Sequence, residues 1–318
     1  MRQKLLLGAL VVLSLGAQVV YGQVAQPQPT PLPPFEIVIE APRIRPEGID
    51  WDPSLSRFLI TSLYDAAIRS VDDAGGLEIF ALNDDLPATV GIEVDEAHNR
   101  LLAAVGDPAA FTSGTGTAAL VAYDLTTGER LFLTDLGSLY PEGRHFANDV
   151  AVDDDGSAYV TDSLSPVIYR VDPEGNAEIF LEDASFRGAG IGLNGIDYHP
   201  DGFLLVANAN QLLKVPLDDP QAFTVVETDE PVNFDGIFMY EGSWLVGVNG
   251  SGGQQTIVAM SSADGWATAV TEGRVLTMGQ ATTITQRGDT SYYINAYLNN
   301  TNAEEYEIVS VNFSCLCE

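Results

Sequence analysis

Along most of the chain apolar and polar residues alternate with a period of two, in short runs rich in Val, Ile, Leu, Tyr and Phe that Asp, Gly, Pro or Asn interrupt. This pattern predicts strands and turns, and no helical period competes with it. The runs repeat. Six segments open on a dipeptide such as X-Gly or Asn-Asp, continue through Ile or Val to a turn, and close on an apolar strand. They are EGIDWDPSLSRFLITSL from Glu47, VGIEVDEAHNRLLAAVG from Val90, NDVAVDDDGSAYVTDS from Asn148, NGIDYHPDGFLLVANAN from Asn194, DGIFMYEGSWLVGVNG from Asp235 and the more divergent TTITQRGDTSYYINAY from Thr282. Their starts lie 43, 58, 46, 41 and 47 residues apart, too far for one hairpin and suited to a four-stranded sheet with its turns.

Each segment is followed by further strands, such as PVIYRVD and AEIFLED after the third. The last copy lacks a clear fourth strand, and FEIVIEAP, residues 35 to 42, supplies one from the N-terminal side. The expected fold is therefore all-β: a six-bladed β-propeller with four-stranded blades over residues 35–313, its ring closed by an N-terminal strand so that no sheet edge is left open.

Ahead of this region Arg2 and Lys4 precede the apolar run LLLGALVVLSLGA, and small residues follow at Ala17 and Gly22. The layout predicts a secretory signal peptide over 1–22, a Pro/Gln-rich linker over 23–34, and a short C-terminal tail over 314–318. The apolar run falls short of the roughly 20 residues that span a bilayer, so the expectation is a secreted or periplasmic protein with no membrane contact after signal cleavage. Fourteen basic against 45 acidic residues give a net charge of −31. That charge disfavours nucleic acid and anionic lipid as partners, and otherwise reads as a solubilising surface. Cys315 and Cys317 are the only cysteines; they exclude a disulfide framework and leave a local bridge, a link between chains, or free thiols open.

In a propeller the first residue of each innermost strand points into one mouth of the central tunnel. Here these residues are Glu47, Val90, Asn148, Asn194, Asp235 and Thr282. Glu47, Asn148, Asn194 and Asp235 offer two carboxylates and two amide carbonyls, a set suited to a hard divalent cation with oxygen ligands, Ca²⁺ foremost. Zn²⁺ and Mg²⁺ come second, and no Cys or His shares the register for Zn²⁺. Singly, an Asn or Asp before Gly merely caps a turn; four at one register point to a metal.

At these residues the chain resembles the senescence marker protein and gluconolactonase family of six-bladed propellers, related to diisopropylfluorophosphatase and the paraoxonases. The resemblance spans almost all of 35–313 and rests on PEGIDWDP, ANDVAVDDDGSAYVTDS, LNGIDYHPDGFLLVAN and NFDGIFMYEGSWLVG. It implies a divalent metal held by Glu47, Asn148, Asn194 and Asp235. It also implies hydrolysis of lactones or, in relatives, phosphotriesters, with Asp235 as base or nucleophile; pure ligation is the alternative role for Asp235. One departure is Phe146, two positions before Asn148, where the family often places a polar substrate contact.

Arg144 and His145, shortly before Asn148, are expected on a loop over the same mouth, and His145 is a second catalytic candidate because imidazole titrates near neutrality. Its plainer reading is a loop histidine. Asp149, where other strong copies carry Gly, is expected to support the metal through a hydrogen bond. FTSGTGT, residues 111–117, fills the longest spacing as a lid, a substrate wall or a flexible loop. GAGIG, 188–192, has a superficial phosphate-loop look with no helix to follow. His98 and His199 fall in turns, and Trp51, Trp244 and Trp266 read as core. The leading expectation is a metal-dependent lactonase or esterase acting on a small-molecule substrate. The alternative is a non-catalytic propeller that binds a ligand or protein and keeps the metal for rigidity; a strictosidine-synthase-like propeller fits least, since that branch lacks the metal quartet.

Overall fold

Alternation at period two is what the chain uses to bury one side of each strand against a neighbouring sheet, and strands account for all of the long elements among the described residues. The computed structural model describes residues 33–313, apart from 113, 189, 241, 252 and 253. The expected signal peptide, most of the linker, and the tail with Cys315 and Cys317 lie outside the described residues. Helical structure among the described residues is confined to short 3-10 turns, and no helix there is long and apolar enough to cross a membrane.

Strand β1 (Glu36–Glu40) comes first. The first meander is β2 (Ile49–Asp52), β3 (Arg57–Ile60), β4 (Ile68–Val71) and β5 (Leu77–Ala81); the second is β6 (Thr89–Asp95), β7 (Arg100–Gly106), β8 (Gly116–Asp124) and β9 (Arg130–Asp135). The third is β10 (His145–Val152), β11 (Ala158–Asp162), β12 (Val167–Val171) and β13 (Ala177–Glu182); the fourth is β14 (Leu193–His199), β15 (Phe203–Asn208), β16 (Gln211–Pro216) and β17 (Thr224–Val225). After β18 (Glu227–Thr228), the fifth is β19 (Phe234–Tyr240), β20 (Trp244–Asn249), β21 (Thr256–Ser261) and β22 (Thr268–Leu276). The last is β23 (Ala281–Arg287), β24 (Thr290–Asn295) and β25 (Glu305–Val311), and β1 pairs antiparallel with β25 from Glu36↔Val309 to Glu40↔Glu305.

The arrangement is that of a β-propeller. Its hydrogen-bonded sheets number five among the described residues, not the six expected from the repeat. The physical reason is one short parallel contact: His145 and Phe146 at the start of β10 pair with Gly116 and Thr117 at the start of β8, which fuses the second and third meanders into an eight-stranded sheet. The apolar core lies between sheets. Val90, Leu120, Phe146 and Tyr169 form one cluster across the second and third meanders, and Phe203, Phe234 and Leu245 form another across the fourth and fifth. Ile39, Ile49, Phe58, Tyr292 and Tyr306 join the first meander to the last, so the ring closes on itself.

All of the innermost strands line a single central cavity of about 310 Å³. In five of them the pairing register shifts across one dipeptide: Val90-Gly91, Asn148-Asp149, Asn194-Gly195, Asp235-Gly236 and Thr282-Thr283. In the first meander β2 begins at Ile49, directly after Glu47-Gly48. Such a bulge interrupts strict alternation and re-aims the side chain it carries. The glycines answer a second need, because inner strands crowd one another near the axis. A Cβ at Gly91 would stand 2.2 Å from Asp149 Oδ1 and 2.6 Å from the Asn148 carbonyl oxygen.

Candidate metal centre

The backbone behind the candidate ligands is fixed by hydroxyl groups reaching from one meander to the next. Thr161 Oγ1 donates to the Asn194 carbonyl (2.7 Å), Thr61 Oγ1 to that of Val90 (2.6 Å), and Thr282 Oγ1, from the last meander, to that of Glu47 (2.7 Å). Thr282 thus holds the position next to it in the ring instead of offering a ligand of its own.

Glu47, Asn148 and Asn194 are 7, 6 and 7 % exposed. Asn194 Nδ2 donates to Asp235 Oδ1 at 3.0 Å, which joins two of the four directly. Asn148 Nδ2 donates to Ser163 Oγ (2.9 Å), and that hydroxyl donates onward to the Leu193 carbonyl (2.7 Å). Two oxygens of the quartet, Glu47 Oε2 and Asn194 Oδ1, are buried with no hydrogen-bond partner among the described residues. A buried acceptor left unpaired is costly, and a cation is the partner its lone pairs suit. Burial holds the Glu47 carboxyl well above the usual carboxylate range, and the charges of Asp235 and Asp149 push the same way. Burial also lifts Asp235 to about 6, against the opposing effect of the Asn194 hydrogen bond. Among the described residues no cluster of three or more His, Cys, Asp or Glu side chains is placed to hold a metal. The quartet contributes only two such residues, its other two members being amides, and its charge balance and unpaired oxygens fit a divalent cation.

His145 does not stand on a loop over the mouth. Its amide donates to the Thr115 carbonyl (2.7 Å), so that β10 starts at His145, ahead of the Asn148 expected from the repeat, and its side chain is buried with Nδ1 2.8 Å from Asp162 Oδ2. Asp162 also accepts from the Phe146, Leu164 and Ser165 amides and from the Tyr169 hydroxyl, so this pair organises the turn after β11. Asp149 points inward from the mouth and lines the central cavity, where it accepts from the Val150 (3.0 Å) and Ile196 (3.2 Å) amides. Burial raises its pKa to about 8. His98 pairs with Asp95 in a turn, His199 stacks on Phe203 with ring centroids 4.2 Å apart, and Trp266 is buried.

Two cavities open beside the quartet. One, of about 450 Å³, is lined by Asn194 and Asp235 together with Gly190, Ile191 and Gly192; the other, of about 470 Å³, by Ser163, Phe111, Arg144, Arg187 and Gly190. Gly190 is therefore a wall common to both, with strand β14 following Gly192 in place of a helix, and Phe111, packed edge-on against Phe146 at 4.8 Å, is a wall of the second.

A group of acids escaped the sequence reading. Asp50, Glu93 and Asp197 stand three residues after the bulge position in the first, second and fourth copies, and with Asp149 they line the central cavity. Asp50 and Asp197 each accept an amide of the next meander, from Val94 (2.7 Å) and Met239. Burial lifts Asp50 to about 6 and Asp197 to about 7, and it lifts Glu93 well above its ordinary value together with the charges of Asp50 and Asp197. The recurring Gly-Ile-Asp or Gly-Ile-Glu was the signal.

No protein-family model matches the chain, and no curated protein does. Solved structures do. The allergen Mala s 1 of Malassezia sympodialis aligns with a TM-score of 0.75 at 18% identity, over 88% of this chain and 97% of the allergen. A gluconolactonase of Xanthomonas campestris aligns at 0.58 and 16% identity, over 86% and 87% of the two chains. A calcium-binding regucalcin of Agrobacterium tumefaciens aligns at 0.59 and 19%, over 86% and 92%. The structural neighbours thus include gluconolactonase and regucalcin propellers, and at these identities the likeness is one of fold.

Proposed function

We propose that the chain is a six-bladed propeller hydrolase acting outside the cytoplasm, which opens lactones or related esters at a divalent-metal site, with Ca²⁺ the best fit, held by Glu47, Asn148, Asn194 and Asp235. One observation carries the reading: Asn148, Asn194 and Asp235 share one bulge register around the ring, Glu47 stands at the matching place just ahead of β2, and among the described residues two of the quartet's buried oxygens lack any partner. The gluconolactonase and regucalcin neighbours support it. When bound, the cation supplies charge stabilisation for the carbonyl oxygen under attack. Asp235, with a pKa raised to about 6, is placed to take a proton near neutrality, and the Asn194 amide orients its carboxylate. Ser163 orients Asn148 in turn. His145 serves as a positioning residue through Asp162.

The test is metal analysis of the purified protein with a panel of lactones, aryl esters and phosphotriesters, on the wild type and Asp235→Asn. Turnover that chelation abolishes and Ca²⁺ restores is expected; turnover indifferent to chelation overturns the reading. A second reading is a non-catalytic propeller with metal for rigidity; the allergen that shares the fold at a TM-score of 0.75 is named for no reaction. In that case the panel finds no substrate while chelation lowers Tm.

A further inference from the structure

Resting on the hydrolase reading above, the cavity beside the quartet narrows the substrate class. Arg144 and Arg187 line it together with the Ser163 hydroxyl. In a chain with 45 acidic and 14 basic residues, arginines are expected to find carboxylates, and Arg57, Arg69, Arg100, Arg130, Arg170, Arg274 and Arg287 each do. Among the described residues the two cavity arginines do not. Arg144 donates to the Ala110 carbonyl and Arg187 to the Tyr140 hydroxyl (3.1 Å), both neutral oxygens. Glu142 lines the same cavity and forms no ion pair with either. Arg43 and Arg45 also form no ion pair among the described residues, but they line neither cavity.

The arginine cavity adjoins the quartet by two routes. Gly190 is a wall of both this cavity and the one holding Asn194 and Asp235, and Ser163 is the residue to which Asn148 donates. A molecule that reaches from the quartet into this adjoining cavity meets two guanidinium groups that form no ion pair among the described residues. The guanidinium fork matches a carboxylate in two parallel hydrogen bonds.

We propose that the site takes an anionic substrate: a lactone or ester bearing a carboxylate, which Arg144 and Arg187 receive while Glu47, Asn148, Asn194 and Asp235 address the carbonyl. The overall charge of −31 acts against such a substrate at long range, but at physiological salt that field is screened within about 8 Å, so close contact with the arginines governs binding.

The experiment compares D-glucaro-1,4-lactone with D-glucono-1,4-lactone, which share a ring and differ by a carboxylate in place of a hydroxymethyl group. With full-length protein and Ca²⁺ present, kcat/KM should favour the charged lactone by about tenfold or more, the scale of one charge-assisted hydrogen bond. The ratio should fall towards one in Arg144→Gln/Arg187→Gln, whose folding is checked by thermal melting. Calorimetric titration with the charged lactone gives a reading independent of turnover. Equal or reversed preference in the wild type, or a ratio unchanged in the double variant, overturns the anionic pocket and leaves the hydrolase reading standing. Arginine-dependent binding of the charged lactone without hydrolysis of either lactone upholds the pocket and overturns the hydrolase reading. Neither binding nor turnover overturns both.

Discussion

Asn148 illustrates how much of the site rests on a single supporting hydroxyl. Its amide nitrogen is held by Ser163, which is itself anchored to the Leu193 carbonyl of the next meander. Groups that orient a ligand typically matter by about 10- to 100-fold in metal affinity. Ser163→Ala is therefore expected to weaken Ca²⁺ binding by about that factor, measured by competition with a fluorescent chelator, and to lower the Tm of the metal-free protein as well, because the buried Asn148 amide and Leu193 carbonyl lose this partner; unchanged affinity contradicts the role. Asp162 is a different case, since five donors converge on its carboxylate in a fully buried position. Asp162→Ala leaves those donors unpaired and should cost about 3 kcal/mol or more in urea unfolding, at about 1–3 kcal/mol for each buried group left unsatisfied. His145→Gln should lower stability by less and leave the pH profile of turnover in place, as a residue acting through Asp162 must.

The elements were legible to different degrees, for reasons that particular residues show. The X-Gly dipeptides mark most of the inner strands because those positions join a break in pairing to backbone crowding that glycine relieves, and both constraints write themselves into sequence. At Asn148-Asp149 the same position carries Asp, whose carboxylate lies over Gly91 of the preceding inner strand. Gly91→Ala would drive a methyl group into it, and a loss of about 1–3 kcal/mol is expected from overpacking of this kind, together with weaker metal binding as Asn148 shifts. Closure by β1 was readable from FEIVIEAP, and Ile39, fully buried between the first and last meanders, should cost about 2–5 kcal/mol as Ile39→Ala. What was not readable is the fusion of the second and third meanders. Two residues of parallel pairing between β8 and β10 have no periodicity of their own, and they turned His145 from a loop position into a buried strand start. The inward acids at Asp50, Glu93 and Asp197 were visible as a pattern, yet with burial unknown they looked like solvent-facing alternation.

At the scale of the whole molecule, the charge of −31 divides into two populations. Turn aspartates such as Asp124, Asp172 and Asp264 sit at the surface, where hydrogen bonds from nearby amides and side chains lower their pKa and favour the charged form. The axial group is opposite: burial holds Asp50 at about 6, Asp197 at about 7 and Asp149 at about 8, with no basic residue among the groups that line their cavity. Because these folded-state values exceed the unfolded value of about 3.9, the native protein binds more protons than the unfolded chain at intermediate pH, and stability declines as pH rises. The contribution is complete below about pH 4 and is lost as pH passes through the folded values cited, so metal-free protein should lose Tm steadily from pH 5 to pH 8. For Asp50 alone the lift from 3.8 to about 6 corresponds to about 3 kcal/mol at 1.36 kcal/mol per pKa unit. A cation at the mouth should act in the other direction, because Glu47 and Asp235 must release their protons to ligate it and affinity then rises with pH. Ca²⁺ at 100 times its Kd adds about 2.7 kcal/mol, so at one fixed Ca²⁺ concentration the gain in Tm should be larger at pH 8 than at pH 5. Scanning calorimetry with chelator and with Ca²⁺ across that range decides the matter. Stability that rises with pH in the metal-free protein would contradict the axial acids as described, and an equal Ca²⁺ increment at both ends would remove Glu47 and Asp235 from the set of ligands.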